Sequence, residues 1–328
     1  MNTKDAILHS LKHSGSEWVS GEDICGGLGI SRNAVWKTIE SLRAEGYEIE
    51  AVSRKGYRLL KSPDAVTGAE IRSGLRTSLF GAGEIHYYPE TDSTNLRARE
   101  AAEAGCPEGT LVTADMQTGG RGRRGRSWFS GPGVGVYLSI VLRPRMAPER
   151  APAVTLMTAV ALTEALRAIT GIPVRIKWPN DILAGTRKLA GILTEMSAQP
   201  DAVEYIVAGV GINVHHRPED IPEELQSIAT SLFIESGSHY SRGDIIRCFL
   251  ERFEYYYAIL LKEGFRALLP LWKEYADIIG RRVSITSINE TITGVVQDVT
   301  ETGALTLLDD SGVIHEVLSG DVSLREKY

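Results

Sequence analysis

This sequence contains few features of a membrane or secreted protein. No run of about 18 apolar residues occurs in the chain, and the first residues, Met1 to Asp5, lack the apolar stretch of a signal peptide. The three cysteines, Cys25, Cys106 and Cys248, are too few and too far apart for a disulfide framework or a zinc site. We therefore expect a protein of the reducing cytoplasm that has no contact with a membrane.

The chain also lacks an overall positive charge. Its 36 lysines and arginines stand against 42 aspartates and glutamates, a net charge of −6. This balance argues against a protein coated in nucleic acid, although it leaves room for a local DNA-binding face. The 328 residues are enough for two or three domains, and a hydrophobic fraction of 43% is ordinary for a globular protein.

Three regions and a linker differ in their residue patterns. Residues 1–62 contain short helical patterns, and residues 63–83 form a linker with a short predicted helix near residues 69–75. Strand and helix patterns alternate over residues 84–276, which favours an α/β or α+β catalytic domain. Residues 277–328 contain short strands separated by turn signals, which predicts a small β-barrel or meander.

A helix-turn-helix is predicted within the first region. Ser20 is placed to cap a short helix, with Asp23 at the capping-box spacing, and Gly29 is suited to end that helix. Ser31 is a natural N-cap for a second helix that runs from Arg32 to about Ala44. The apolar stripe of this second helix consists of Val35, Ile39 and Leu42. Two helices of this length joined by a tight turn are typical of DNA-binding proteins.

Basic residues cluster on the other face of the second helix and on a predicted hairpin that follows it. That face carries Arg32, Asn33, Trp36, Lys37 and Arg43, and the hairpin tip carries Arg54 and Lys55. Residues 31–61 hold seven lysines and arginines against four carboxylates. The residues predicted to contact DNA are Ser31, Arg32, Asn33, Trp36, Lys37, Arg54 and Lys55. The alternative is a winged helix used only for packing or for protein contacts.

The most informative segment is an arginine- and glycine-rich stretch from Gln117 to Trp128. Its glycines fit the G-x-G-x-x-G pattern, but no helix pattern follows, and the ending of a P-loop is absent. Its arginines are Arg121, Arg123, Arg124 and Arg126. Because these charges repel and glycine loses backbone entropy on ordering, we predict a flexible loop that closes over an anion. A disordered surface loop and a loop that contacts nucleic-acid phosphates are the alternatives.

A second group of polar residues follows a predicted strand that ends at Lys177. Lys177 is suited to a phosphate, and Asn180 and Asp181 are suited to Mg²⁺ or a ribose. The next predicted hairpin places Lys188 at the start of a strand, which favours a catalytic cation over a solvated charge. The pair His215-His216 has no partner at metal-ligand spacing, and we interpret it as part of a polar loop.

Four motifs, in this order, resemble those of the biotin–protein ligase family. They are Asp92-Ser93-Thr94-Asn95, the loop from Gly120 to Trp128, Lys177 to Asp181 together with Arg187 to Leu193, and Gly209 to Asn213. The resemblance covers essentially the whole chain, including the winged helix. The sequence therefore resembles the bifunctional members, which also repress biotin operons. The resemblance implies an α+β fold with an N-terminal winged helix-turn-helix, a central mixed-sheet ligase domain and a small C-terminal β-barrel.

The resemblance also implies an activity and a set of partners. Biotin and Mg²⁺-ATP would give biotinyl-5′-AMP, from which biotin passes to a lysine of a biotin carboxyl carrier protein. Operator DNA would be a further partner, bound by a homodimer that forms when the chain is loaded with biotinyl-AMP. Such a protein would be cytoplasmic.

The same resemblance implies roles for particular residues. Ser93, Thr94 and Gln117 would bind the ureido ring of biotin, and Trp128 would cover its acyl chain. The implied biotin-binding set is Ser93, Thr94, Asn95, Gln117, Arg121, Gly122, Arg123, Trp128, Lys188 and Gly191. The implied adenylate-binding set is Arg123, Arg126, Lys177, Asn180 and Asn213, with Asn213 at the adenine and Asp181 at Mg²⁺. The implied catalytic residues are Lys188, Arg121 and Arg123.

Three other interpretations remain open. A lipoate–protein ligase has a similar fold and reaction, but the arginine loop and the attached winged helix favour biotin. A transcription factor could use the larger domain only to sense a ligand, although the presence of Lys188, Asn180 and Asp181 favours an enzyme. A ligase whose winged helix does not bind DNA is the third.

Overall fold

The N-terminal part of the protein is a winged helix-turn-helix, as predicted. The structure is a computed structural model that describes residues 3–276, 278–286, 291–318 and 320–324. The first elements are α1 (Thr3–His13), α2 (Gly21–Leu28), α3 (Arg32–Ala44), β1 (Glu48–Val52) and β2 (Gly56–Lys61). Strands β1 and β2 pair antiparallel as the wing.

Local capping explains where these helices begin and end. The Ser20 hydroxyl accepts a hydrogen bond from the backbone N–H of Glu22, and the Ser31 hydroxyl accepts one from Ala34. Gly29 ends α2 in the left-handed conformation, with φ at 64°. The predicted stripe of α3, consisting of Val35, Ile39 and Leu42, is buried in the core of this domain. Both predicted helices, the Ser20 and Ser31 caps and the Gly29 terminus are therefore confirmed, although the Ser20 hydroxyl bonds the N–H of Glu22 and not that of Asp23, as a capping box would require.

A short helix connects the winged helix to the rest of the molecule. Helix α4 (Gly68–Arg72) is shorter than the predicted helix near residues 69–75, because Ser73 leaves the helical conformation. Glu70 on α4 is buried, accepts a hydrogen bond from the Tyr47 hydroxyl and forms an ion pair with Lys12. These contacts reach back from the linker into the winged helix and fix the two parts against each other.

The central part is built around a seven-stranded mixed sheet with the strand order β3-β4-β5-β9-β8-β7-β6. Its elements are β3 (Ile85–Tyr88), α5 (Thr94–Glu103), β4 (Leu111–Ala114), β5 (Gly135–Leu142), α6 (Pro152–Thr170), β6 (Arg175–Lys177), β7 (Asp181–Ala184), β8 (Arg187–Ala198), β9 (Val203–Asn213), α7 (Leu232–Ser236), α8 (Arg242–Glu263) and α9 (Leu269–Ala276). Strands β3 and β4 are parallel and the other pairs antiparallel, which confirms the mixed sheet.

Helices cover both faces of this sheet. The large core contains α6, α8 and α9, whereas α5 packs into a smaller cluster with Val112, Val141 and Val207. In the described part of the chain one helical stretch, Pro148–Thr170, is long and apolar enough to cross a membrane. Because 67% of its most apolar window is buried inside the protein, it is the core helix of this domain.

The C-terminal part is an antiparallel five-stranded sheet with the order β13-β12-β11-β10-β14. Its strands are β10 (Arg282–Thr286), β11 (Thr291–Val299), β12 (Leu305–Leu308), β13 (Ile314–Val317) and β14 (Asp321–Leu324). This confirms the predicted short strands, while closure into a barrel stays a prediction. The buried Trp178 side chain donates a hydrogen bond to the Gly303 carbonyl at 2.9 Å. The C-terminal sheet is thereby attached beside the segment Lys177 to Asp181.

Candidate active site

Polar residues at the start of α5 form an interlocked group with the strand ends. The backbone N–H and the hydroxyl of Thr94 donate to Oε1 of Gln117, at 2.8 and 3.1 Å. The Gln117 amide donates in turn to the Ser130 hydroxyl at 2.8 Å. Asn95 is buried and accepts a hydrogen bond from Ser139 at 2.7 Å. Several side chains with both donors and acceptors are therefore held in fixed orientations, as recognition of a polar ring requires.

Two glycines of β9 make room for this group. A Cβ atom at Gly209 would lie 1.9 Å from Oδ1 of Asn95, and one at Gly211 would lie 2.6 Å from the Trp128 indole. The indole also lies close to Gly191, where a Cβ would be 3.0 Å from it. The Gly209 to Gly211 motif therefore serves close packing against Asn95 and Trp128, a role that the sequence did not reveal.

All ten residues predicted to bind biotin line a single cavity. The structure thus brings together segments that are more than a hundred residues apart in the sequence. Six further described residues line the same cavity and had not been assigned to biotin: Asn180, Ile192, Leu193, Gly209, Val210 and Gly211. Asn180 had been assigned to the nucleotide. The others belong to two of the family motifs, Arg187 to Leu193 and Gly209 to Asn213, but no contact with a ligand had been assigned to them.

The arginine loop forms a tight hairpin in this structure, while its predicted flexibility stays a prediction. Gly122 N–H donates to the Arg126 carbonyl at 2.7 Å, and Trp128 N–H donates to the Gly120 carbonyl at 2.8 Å. Long-range partners offset the repulsion between the arginines. Arg121 pairs with Glu195 at 3.2 Å, Arg123 donates to Asn180 at 3.2 Å, and Arg124 donates to the Thr286 carbonyl at 3.1 Å. The local sequence did not indicate these partners, because they lie far away along the chain.

Lys188 lies where the loop and the strands meet. It is the second residue of β8, as predicted, and its backbone N–H donates to the Ile228 carbonyl at 2.7 Å. Its ammonium group is 2.7 Å from a carboxylate oxygen of Asp181 and 5.2 Å from the centre of the Trp128 ring. The carboxylate and the ring hold this cation in place, yet the side chain remains about one third exposed, at 35%.

A second cavity of about 360 Å³ shares Lys188 and Trp128 with the first. Four residues that were predicted to meet ATP or its metal line it: Arg126, Lys177, Asp181 and Asn213. Arg123 and Asn180 lie in the first cavity instead. Apolar residues that had not been predicted form much of the remaining wall, namely Phe129, Ile221, Leu225, Ile228 and Ala229. An apolar wall beside cationic side chains suits a nucleotide, which has a flat base and a charged phosphate chain.

His215 and His216 lie in a loop, as predicted, but the burial of this loop was not predicted. His216 is 1% exposed and lines the second cavity, and burial lowers its pKa to about 4. His215 is half-buried, with Nε2 2.8 Å from the Tyr240 carbonyl and Nδ1 3.4 Å from Asp64, and burial lowers its pKa as well. The segment is covered because the Ser231 hydroxyl at the start of α7 donates to the His216 carbonyl.

A cluster of metal ligands does not occur in the part of the chain that the structure describes, where no three His, Cys, Asp or Glu side chains converge. Among the described residues that line the two cavities, Asp181 is the one carboxylate. A single carboxylate together with substrate phosphates is a usual way for proteins to hold Mg²⁺, so the donor set fits a metal that arrives with ATP.

All seven residues that were predicted to contact DNA are exposed: Ser31, Arg32, Asn33, Trp36, Lys37, Arg54 and Lys55. Trp36 is the most apolar of them, at 53% exposure. Arg43, which was assigned to the same face, is partly exposed, but its guanidinium bonds the Ile49 carbonyl and the Glu40 carboxylate within the domain. The wing also carries a feature that had not been predicted, in which Lys55 and Arg58 lie over the Trp18 ring.

Comparison with known proteins agrees with this arrangement. Residues 87–213 match the biotin/lipoate A/B protein ligase family, residues 3–58 an HTH domain, and residues 278–325 the biotin protein ligase C-terminal domain. The chain is 43% identical to the bifunctional ligase/repressor BirA of Bacillus subtilis, over 97% of each chain. It is 32% identical to the protein of the same name from Escherichia coli, covering 99% of this chain and 98% of the relative.

Among solved structures, the chain is similar to the biotin protein ligase from Aquifex aeolicus in complex with biotin and ATP. The two share 32% sequence identity and superpose with a TM-score of 0.65, over 74% of this chain and 99% of the other. The likeness to the two bifunctional relatives extends over nearly the whole length of all three chains. This chain therefore belongs to the biotin–protein ligase family, and within it to the members that carry an N-terminal helix-turn-helix.

Proposed function

We propose that this chain is an ATP-dependent biotin–protein ligase, which forms biotinyl-5′-AMP and transfers biotin to a lysine of a biotin carboxyl carrier protein. The observation that carries the proposal is the meeting of two cavities at Lys188. One cavity holds the interlocked polar group and the other has an apolar wall with Arg126 and Lys177. The Aquifex aeolicus relative is described with biotin and ATP bound, which supports the same pair of substrates here.

The first step joins two anions. A carboxylate oxygen of biotin forms a bond to the α-phosphorus of ATP, and the bond from that phosphorus to the pyrophosphate oxygen breaks. Lys188, Arg121 and Arg123 offset the repulsion between the carboxylate and the phosphates, and they stabilise the charge that develops. Lys188 is well placed for this because Asp181 and Trp128 already hold its ammonium group.

The second step needs an amine from another protein. The nitrogen of the acceptor lysine attacks the carbonyl carbon of biotinyl-AMP, AMP leaves with the bonding electrons, and the amine loses a proton.

We assign Ser93, Thr94, Asn95 and Gln117 to the ureido ring of biotin, since these side chains present both hydrogen-bond donors and acceptors. Trp128 and Gly191 would face the acyl chain, and Asn213 and Arg126 would face the nucleotide. Mg²⁺ bound with ATP would neutralise phosphate charge, with Asp181 as its protein ligand.

We also propose that the protein is a cytoplasmic repressor of biotin genes, which binds operator DNA as a homodimer loaded with biotinyl-AMP. The exposed residues of α3 and the wing support DNA binding, since phosphate and base contacts need side chains that reach outward. The names of the B. subtilis and E. coli relatives combine ligase and repressor. The proposed domain limits are 1–62, 63–83, 84–276 and 277–328.

Biotin-dependent exchange of labelled pyrophosphate into ATP tests the ligase, with lipoate as the parallel substrate. This measurement needs no acceptor protein and isolates the first step. We expect exchange with biotin and none with lipoate. Exchange with lipoate alone would make the chain a lipoate ligase, and no exchange with either would leave a repressor that only senses a ligand.

Sedimentation velocity tests the coupling between ligand and dimer. We expect the protein to sediment as a monomer alone and as a dimer with biotinyl-AMP, and to bind operator DNA more tightly in the second state. Identical sedimentation in both conditions would contradict the proposed repressor mechanism, without bearing on the ligase reaction.

A further inference from the structure

Glu195 on β8 joins two walls of the first cavity. One carboxylate oxygen accepts a hydrogen bond from the side-chain amide of Asn95 at 2.8 Å, and the other lies 3.2 Å from the Arg121 guanidinium. We propose that Glu195 is a positioning residue that holds the arginine loop closed over the biotin pocket. The inference rests on the proposed ligase function for its consequence, but the contact itself is independent of that function.

The Asn95 side of this contact is rigid. Asn95 is buried, donates a second hydrogen bond to the Leu193 carbonyl at 3.1 Å and accepts one from Ser139. Its amide therefore has a fixed direction and orients the Glu195 carboxylate. The carboxylate is thus preorganised before it meets Arg121, and less side-chain entropy is lost when the ion pair forms.

The Arg121 side of the contact is more exposed to solvent. Its side chain is 43% exposed and belongs to the segment with the highest density of positive charge in the chain. A carboxylate at this point draws the first arginine of the hairpin toward β8 and reduces repulsion within the loop. Because Glu195 is not among the residues that line the cavity, it would act on substrates through Arg121 and Asn95. Its removal should affect how long biotinyl-AMP is retained more than the rate of its formation.

One variant and a matched control test whether the negative charge of Glu195 holds the loop. Glu195→Gln keeps an oxygen that can accept from Asn95 but loses the negative charge toward Arg121. Glu204→Gln is the matched control, since Glu204 lies on the neighbouring strand β9 and accepts hydrogen bonds from Ser197 and Gln199. Limited trypsin digestion of the ligand-free, full-length protein reports opening of the loop, through the rate at which fragments ending between Arg121 and Arg126 appear in mass spectra.

We expect these fragments to form about threefold faster in Glu195→Gln, as loss of a partly exposed ion pair implies, and at the wild-type rate in Glu204→Gln. Release of biotinyl-AMP and the KM for biotin should rise by a similar factor, with kcat at saturating biotin unchanged. Wild-type cleavage and release in Glu195→Gln would overturn the proposal, as would a lower kcat with unchanged release. Faster cleavage in a chain that shows no biotin-dependent pyrophosphate exchange would support the latch and overturn the ligase function instead.

Discussion

The winged helix and the ligase site present their functional residues in opposite ways. The residues of α3 and the wing that we propose to contact DNA project into solvent from a small domain whose own core is complete without them. In the ligase site, by contrast, Thr94, Asn95 and Gln117 are bonded to one another or to neighbouring strands. A surface of separate side chains suits recognition of a long, charged polymer, whereas an interlocked pocket suits a small molecule that must be held in one orientation.

This difference has an energetic consequence. A substitution of an exposed residue such as Asn33 or Lys37 should remove one DNA contact and change stability little. Ser31 and Lys55 are exceptions in this set, because Ser31 also caps α3 and Lys55 lies over the Trp18 ring. A substitution among the interlocked residues should disturb several partners at once. The following substitutions test the contrast, from the largest expected effect to the smallest.

Lys188→Ala should lower biotin-dependent pyrophosphate exchange by roughly 10²- to 10³-fold, the usual effect of removing one group that stabilises the transition state. Thermal unfolding should change little, because the side chain is 35% exposed. Lys273→Ala is the matched control, since Lys273 has similar exposure and pairs with Asp298 away from the two cavities. A folded Lys188→Ala protein with normal exchange would remove Lys188 from the mechanism.

Gly211→Ala should weaken biotin binding by roughly 5- to 150-fold, because the new Cβ would lie 2.6 Å from the Trp128 indole and force it to move. Gly26→Ala in α2 is the control from the other region, where a Cβ meets nothing within 4 Å. Titration calorimetry measures the affinity of both variants for biotin. Equal affinity in Gly211→Ala and the wild type would show that Trp128 does not shape the pocket.

Stability should fall as the pH decreases from about 6.5 toward 4, because His216 has a pKa of about 4 when buried. Over this range the unfolded chain, with an ordinary histidine pKa, binds a proton that the folded chain does not, which favours unfolding. His216→Leu should reduce the difference in unfolding free energy between pH 7 and pH 5 by roughly 2 kcal/mol. Urea denaturation at both pH values tests this, with His9→Leu on the exposed side of α1 as control. The same pH dependence in His216→Leu and the wild type would contradict it.

Lys37→Ala should weaken operator binding by about tenfold or less and reduce the slope of log affinity against log salt by about 1, as loss of one phosphate contact implies. Pyrophosphate exchange should be unaffected. Fluorescence anisotropy with operator DNA at several salt concentrations measures the effect, and Lys262→Ala, an exposed lysine on α8, is the control. If Lys262→Ala weakened operator binding as much as Lys37→Ala does, binding would depend on overall charge and not on the winged helix.

Much of the winged helix could be predicted from the sequence, since its signals are local. The Ser20 and Ser31 caps, the Gly29 terminus and the stripe on α3 each depend on residues within one or two helical turns. Arg43 shows the limit of that approach. Its spacing along α3 indicates an exposed face, but the return of the chain through β1 brings the Ile49 carbonyl within hydrogen-bonding distance.

The sequence predicted many residues of the candidate active site, but not how they are arranged around the two cavities. The motif around Lys188 and the cationic loop identify the charges. The apolar wall of the second cavity and His216 have no local pattern that indicates a site, and the contacts of Glu195 on β8 involve residues far away in the sequence. Burial of His215 and His216 depends on α7 covering the end of β9, which no periodicity near these histidines indicates.

The sequence by itself determined where helices and strands begin, which residues carry positive charge and which glycines interrupt the pattern, because these follow from backbone conformation and from side-chain chemistry. Tertiary structure alone decided that Asn95 and Glu195, a hundred positions apart, share a hydrogen bond, and that Gly209 and Gly211 admit Asn95 and Trp128. The physical reason is close packing. A pocket is the space left between strands and loops, and its shape depends on which distant segments the sheet brings together.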